Sequence, residues 1–283
     1  MTVRIVTDTS CDLPAELERE LKGLGVKIIP FLFHFGLESY EDKSMSIKEF
    51  LARAAVTWPT TAAPSAGAFI QAFRECVEAG DQVVCITITG KHSATYSSAV
   101  LASRQFPAGQ VTVVDSLSLS LGQGLLVLAA ARAGKEGKSP EQVVETVKAL
   151  QRRLRFFISL DNVEYLVKGG RASRLAGTLA SLLRLRPILT VVDGELTLAE
   201  KPRGREAARQ KLLQMVLSCF PAEIVGVIHV DAEATAQELA AMIAAQSGYP
   251  RDKILIVETG LALATHGGPG TVGVVVLSEQ MGE

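Results

Sequence analysis

The first half of the chain alternates between two hydrophobic periods. VRIVTDTS, from Val3, is a short β-branched run ending in polar residues, the pattern of a strand and its exit loop. Leu13, Leu17, Leu21 and Leu24 follow at helical spacing, with Pro14 near the helix start and Gly25 past its end. VKIIPFLFHFG predicts a strand interrupted by Pro30, and EDKSMSIKEFLARAA a loop and a short helix. An amphipathic helix (AGAFIQAFRECVEAG), a strand (DQVVCITITG), a helix (SATYSSAVLASRQF) and a strand (GQVTVVDS) come next, and then two helices, LSLGQGLLVLAAARAG and SPEQVVETVKALQRRL. The strands are nearly continuous runs of Val and Ile, as in a parallel sheet covered on both faces.

The second half is patterned differently. RFFISL reads as a strand and DNVEYLVKGG as a helix, and RPILTVVDGELTLAEK holds two strand runs around Asp193-Gly194, a preferred hairpin dipeptide. Helix, strand, helix, strand and a last strand, TVGVVVLS, follow. A hairpin among alternating elements implies a mixed sheet. The expected fold is therefore α/β with two domains. Residues 1–154 form a three-layer α/β/α domain with a mainly parallel sheet, and residues 155–283 an α/β domain with a mixed sheet. No long flexible linker, repeat or low-complexity stretch interrupts them.

Composition narrows the function classes. The 283 residues are 48% hydrophobic with a formal net charge of -1, so no basic excess points to nucleic acid or to an anionic membrane surface. Cys11, Cys76, Cys85 and Cys219 are far apart and form no C-x-x-C pair, which argues against structural zinc and a disulfide framework. MTVRIVTDTS runs straight into a strand and is not a signal peptide, and the longest apolar stretch is too short to span a bilayer. A reduced, cytoplasmic protein without a membrane span or metal site is expected.

In open α/β sheets ligands bind outside the carboxyl ends of strands. The strand-exit loops here are TDTSCD from Thr7, TTAAPS from Thr60, TGKHSATY from Thr89, VDSLS from Val114, and the THGGPG turn that holds His266. They offer hydroxyls, glycines and helix starts, which suit an oxyanion, but no carboxylate clusters for magnesium or calcium. Ser65 and Ser93 are equally good helix caps, and Asp8 to Asp12 could serve the same end. A histidine in a Gly-Gly-Pro-Gly turn is harder to assign to structure alone. EYLVKGGRAS, Glu164 to Ser173, reads either as a Schellman-type helix stop with a solvent-facing arginine or as an anion site built on Arg171. Catalytic templates fit poorly. G-K-H-S-A-T lacks the spacing of a nucleophile elbow, no phosphate loop or dinucleotide fingerprint occurs, and Cys11 has no adjacent histidine. A hydrolase or phosphotransferase using Ser93 and His266, with Asp115 as a third member, is the remaining enzymatic reading.

Taken in order, TDTSCD, TAAPS, SATYSSA, VDS, YLVKGGRAS and HGGPG resemble the DegV family of bacterial fatty-acid-binding proteins over essentially the whole chain. The resemblance implies a buried long-chain fatty acid with its carboxylate held by Thr61, Ser93 and His266. It implies no cofactor and no catalytic residue. It also implies a partner, an ATP-binding fatty acid kinase protein that phosphorylates the bound carboxylate for phospholipid synthesis. Ala94, Thr95, Arg171, Gly267 and Gly268 would support the head group or face that partner. Three motifs depart from the family pattern: Ala62 and Ala63 replace polar residues in the first, Ala94 replaces a glycine in the second, and Gly267 replaces a threonine in the third. The physics is compatible. Burying a methylene is worth roughly 0.8 kcal/mol, so about fourteen could gain on the order of 11 kcal/mol before ordering costs. IIPFLFHF and LAGTLASLLRL are candidate linings, and neutral donors would hold a carboxylate without quenching it as a nucleophile.

Overall fold

The computed structural model describes residues 2–161, 163–172 and 185–279. The Val- and Ile-rich runs form a four-stranded parallel sheet. It comprises β1 (Val3–Asp8), β2 (Lys27–Ile29), β6 (Gln82–Thr87) and β7 (Val111–Asp115), in the order β2-β1-β6-β7. The mixed sheet has six strands: β8 (Leu154–Ser159), β9 (Ile188–Val192), β10 (Glu195–Glu200), β11 (Ala222–His229), β12 (Leu255–Glu258) and β13 (Val272–Ser278). Its order is β10-β9-β8-β13-β11-β12, with only β11 and β12 parallel.

Helices separate and cover these sheets. α3 (Ala66–Glu78) and α4 (Thr95–Ser103) pack Phe69, Phe73 and Ala99 on the outer face of the parallel sheet. α8 (Arg205–Leu217) and α9 (Glu233–Ser247) cover the far face of the mixed sheet through Leu212, Val216, Leu239 and Ile243. Between the sheets lie α5 (Ser120–Lys135) and α6 (Pro140–Arg153). Thirteen of the sixteen residues of α5 are buried, because a helix with a sheet on each side has no face left for water. One apolar cluster runs from Ile5 and Val84 of the parallel sheet through Leu121 and Leu126 of α5 to Ile158, Ile228 and Val275 of the mixed sheet. Small residues let this helix sit close: a Cβ on Gly124 would lie 2.7 Å from the Asp12 carbonyl oxygen and 2.9 Å from Leu13 Cγ. α6 begins with a full capping box between Ser139 and Gln142. Among the described residues no helix is long and apolar enough to cross a membrane.

The sequence pattern does not anticipate a third, small sheet. Pro30 divides what reads as one strand. β2 stays in the parallel sheet, while β3 (Leu32–Phe35) leaves it and pairs antiparallel with β4 (Glu38–Glu41) and β5 (Thr60–Ala62). The TTAAPS segment is thus an edge strand followed by a helix cap, Ser65 accepting the Ala68 N–H at 3.2 Å, and not simply a loop. Phe33 and Phe35 of this sheet pack with Phe50 of α2 (Ile47–Ala54) against Val230, Leu261 and Ala264.

The last two residues belong to a second unanticipated element, α10 (Leu261–Gly267). Its start is held by buried carboxylates from the first half of the chain. Asp12 Oδ1 accepts the Gly260 N–H at 3.0 Å and Asp42 Oδ1 the Ala262 N–H at 3.1 Å. Asp12 also accepts the Ser120 hydroxyl at 2.7 Å and faces Lys43 Nζ at 3.7 Å. Burial raises the Asp12 carboxyl to about 7, opposed by Lys43 and the Ser120 hydrogen bond and reinforced by Asp42.

Two outcomes are expected. Gly124→Ala should lower stability by roughly 1–3 kcal/mol through overpacking, while Gly23→Ala, which meets nothing within 4 Å, should be neutral; urea melts of both compare them. Asp12 has a folded-state value above its unfolded one, so the unfolded chain loses this proton first as pH rises. Stability relative to Asp12→Asn should therefore fall between about pH 4 and pH 7 and level off above that; thermal melts across that range give the difference.

Candidate functional site

Two glycine-rich motifs fold into each other. α7 (Glu164–Lys168) ends in a Schellman arrangement: Arg171 N–H donates to Leu166 O at 3.1 Å, Gly170 N–H donates to Val167 O at 3.0 Å, and Gly170 has φ +72°. The other glycine of that pair has a different task. A Cβ on Gly169 would stand 2.2 Å from His266 Nδ1, so the imidazole occupies the space a side chain would take. The contact is reciprocated: at Gly268, with φ +74°, a Cβ would lie 2.5 Å from the Tyr165 ring. Trp58 packs on the other side of Tyr165, ring centroids 4.9 Å apart, and Lys168 Nζ sits 4.8 Å over the indole.

His266 is therefore not in the turn, as the Gly-Gly-Pro-Gly pattern suggests, but in the last turn of α10, and it is largely buried. Its Nε2 lies 3.2 Å from Thr61 Oγ1, bringing together residues 205 apart in sequence. Its Nδ1 is buried without a hydrogen-bond partner. Burial, then the nearby Arg171 charge and His92, lowers the imidazole from 6.5 to about 3, so the ring is neutral at physiological pH.

Thr61, Ser93, His266, Arg171 and Gly267 line one cleft. The rest of its wall is mainly aliphatic, drawn from both large sheets and their connections: Ile88 and Leu119 on one side, Ile158, Leu189, Leu196 and Ile228 on the other. Phe31 contributes from the IIPFLFHF run, whereas Phe33 and Phe35 serve the small sheet. All of LAGTLASLLRL but its last residue, and Ser173 of the Arg171 motif, lie outside the described residues. The β9–β10 hairpin closes against the parallel sheet. Thr89 donates its hydroxyl to Gly194 O at 2.8 Å, and Leu196 N–H donates to His92 Nε2 at 2.9 Å.

Ala94, Thr95 and Gly268 stand behind the cleft wall. Thr95 Oγ1 is 2.8 Å from Ser93 Oγ, which also accepts the Thr95 N–H at 3.3 Å, so Ser93 is tied to the first residue of α4, one position before its N-cap, Ala94. Arg171 is half-buried and not solvent-facing as a bare helix stop would leave it; it donates to Gly169 O at 2.8 Å and to His92 O at 3.3 Å. His92, Thr89, Gly169 and the Asp12/Asp42 pair are structural parts of the site that the motifs alone do not single out. His92 and Thr89 sit inside the TGKHSATY loop, and only their position against the hairpin reveals their use.

Ser93, His266 and Asp115 are each hydrogen-bonded to other groups and not to one another. Ser93 pairs with Thr95 and His266 with Thr61, while Asp115 accepts the Gly90 and Leu117 N–H groups at 3.0 and 2.8 Å. Cys11 is buried, its thiol pushed up by desolvation and by Asp8. Among the described residues no cluster of three or more His, Cys, Asp or Glu side chains is placed to hold a metal.

A sequence profile of the family described as uncharacterised protein, DegV family, matches residues 2–279. A DegV domain-containing protein of Caldanaerobacter subterraneus is 33% identical over 279 residues, spanning 96% of this chain and 97% of its own. The solved structure of a fatty-acid-binding DegV family protein from Thermus thermophilus superposes with a TM-score of 0.89 at 33% identity, covering 99% of this chain and 100% of that one. A stearic-acid-binding protein from Eubacterium ventriosum superposes with a TM-score of 0.84 at 28% identity, over 96% and 97% of the two chains. With a family match across nearly its full length and the same fold as these solved structures, the chain belongs to the DegV family.

Proposed function

We propose that the chain binds one long-chain fatty acid, with the acyl tail in the aliphatic cleft and the carboxylate among Thr61, Ser93 and His266. The observation that carries this reading is the asymmetry of the cleft. An interior lined mainly by aliphatic side chains is joined to a group of two hydroxyls and a neutral imidazole, beside Arg171. An apolar wall suits a polymethylene chain, and a carboxylate in such a place needs hydrogen bonds to offset its lost hydration. The fatty acids bound by the solved DegV relatives support the same ligand class.

In this reading residues 1–154 and 155–283 are the two structural units. Thr61 and Ser93 come from the first and His266 from the second, so the head group bridges them. The chain acts as a carrier without chemistry of its own. It presents the carboxylate to an ATP-binding kinase partner, whose γ-phosphoryl group is attacked by a carboxylate oxygen to give an acyl phosphate and ADP. Arg171 and Gly267 lie at the head-group end, where that partner would approach. Neutral donors suit the step, because a carboxylate that is hydrogen-bonded but not paired to a full cation keeps its nucleophilicity.

Native mass spectrometry with lipid extraction tests the ligand directly: a single stoichiometric fatty acid is expected, and an unliganded mass that stays unchanged on adding fatty acids would sink the reading. His266→Gln and Thr61→Val should each weaken binding by roughly 10- to 100-fold, the value of a hydrogen bond to a charged acceptor. Trp58, the only tryptophan, reports the titration through Tyr165 and the neighbouring loop. Binding should exchange no proton near neutrality. Burial keeps His266 neutral down to about pH 3, and it holds the carboxylate as a neutral donor. Affinity should therefore be flat between about pH 6 and 8; calorimetry in buffers of different ionisation enthalpy should give the same heat of binding after buffer correction, with a proton count of zero.

A further inference from the structure

The cleft wall contains seven hydroxyl side chains, and six of them are accounted for within the protein. Ser10 pairs with Gln123 at 2.8 Å and with Asp8, Thr61 with His266, Thr89 with Gly194 O, Ser93 with Thr95, Ser120 with Asp12, and Thr271 with Gly267 O at 2.7 Å. The seventh is Thr259. It is 6% exposed, it lines the cleft, and its Oγ1 has no hydrogen-bond partner. Its backbone N–H is satisfied by His229 O at 3.0 Å, so only the side chain is left over.

An unpartnered buried hydroxyl is costly, and a plain polymethylene chain beside it leaves it unpaired. A hydroxyl can both donate and accept, so a ligand hydroxyl or keto oxygen at the same depth satisfies it. We propose that the cleft is selective for an oxygenated acyl chain, a hydroxy or keto fatty acid whose mid-chain oxygen pairs with Thr259. The proposal rests on the fatty-acid reading above and adds the position and chemistry of a second polar contact.

The position is set by taking the acyl chain to run alongside α10, from the carboxylate at His266 towards the helix start. α10 rises about 1.5 Å per residue, so Leu261 to His266 spans roughly 8 Å, and Thr259 precedes that helix. An extended acyl chain advances about 1.3 Å per carbon, the projection of an ordinary carbon–carbon bond. Thr259 therefore meets the chain roughly six to ten carbons from the carboxylate held near His266. An oxygen close to the carboxylate would miss it.

The test compares stearate, 3-hydroxystearate and 10-hydroxystearate on the full chain and on Thr259→Val and Thr259→Ser, by calorimetry. The expected result is a preference of roughly tenfold for 10-hydroxystearate over stearate in the wild-type protein, with no gain for 3-hydroxystearate. Thr259→Ser should keep the preference, and Thr259→Val should abolish or reverse it by binding stearate more tightly. If stearate and 10-hydroxystearate bind equally to the wild-type chain, or Thr259→Val shifts both alike, the selectivity proposal is overturned while the fatty-acid reading stands. If no acid of the three binds the wild-type chain, the fatty-acid reading fails and takes this proposal with it. Thr259→Ser guards against misfolding of the valine variant, because it retains the hydroxyl.

Discussion

Two buried carboxylates at the start of a seven-residue helix hold this site together. Asp12 and Asp42 come from the first fifth of the chain, yet they accept the Gly260 and Ala262 N–H groups at the head of α10. A helix this short has little stability of its own. Its position depends on these hydrogen bonds and on the aromatic cluster of Phe33, Phe35 and Phe50 beneath it. Burial raises both carboxyls, Asp42 adds to the rise at Asp12, and Lys43, held protonated by Asp12 and Glu18 against the cost of burial, offsets part of it. His266 then reaches Thr61 because both ends of the arrangement are fixed from the same half of the protein.

The central helices act at a larger scale. α5 is buried on all sides, and the sheets on its two faces share one core. The cleft opens where this sandwich runs out, at the carboxyl ends of β1, β6 and β7 and beside the ends of β11 and β12. That is where strand-exit loops gather in open α/β sheets. The hairpin tip at Asp193 and Gly194 crosses to the parallel sheet and closes one side, so the wall draws on both sheets.

Much of this was legible in the sequence. The parallel strands announce themselves as Val and Ile runs, the Asp193-Gly194 hairpin by its turn dipeptide, and α5 and α6 as two successive helical stretches. The elements that were not legible are short. β5 is three residues, Thr-Thr-Ala, with no alternation to detect, and it exists because β3 offers it an edge. α10 is LALATHG, apolar on every side and followed by Gly-Pro, which reads as loop until Asp12 and Asp42 supply its cap from far away. The hydroxyl and histidine motifs gave the residues of the site, but pairing Thr61 with His266 needed the third sheet. Nothing in the linear pattern separates Thr259 from its partnered neighbours.

The fit of His266 against Gly169, and of Tyr165 against Gly268, has an evolutionary corollary. Neither motif can drift alone. A side chain at position 169 requires a smaller residue at 266, and a side chain at 268 requires the loss of the ring at 165. The two motifs, almost a hundred residues apart, form one unit of inheritance, and their positions should vary across relatives in matched pairs or not at all.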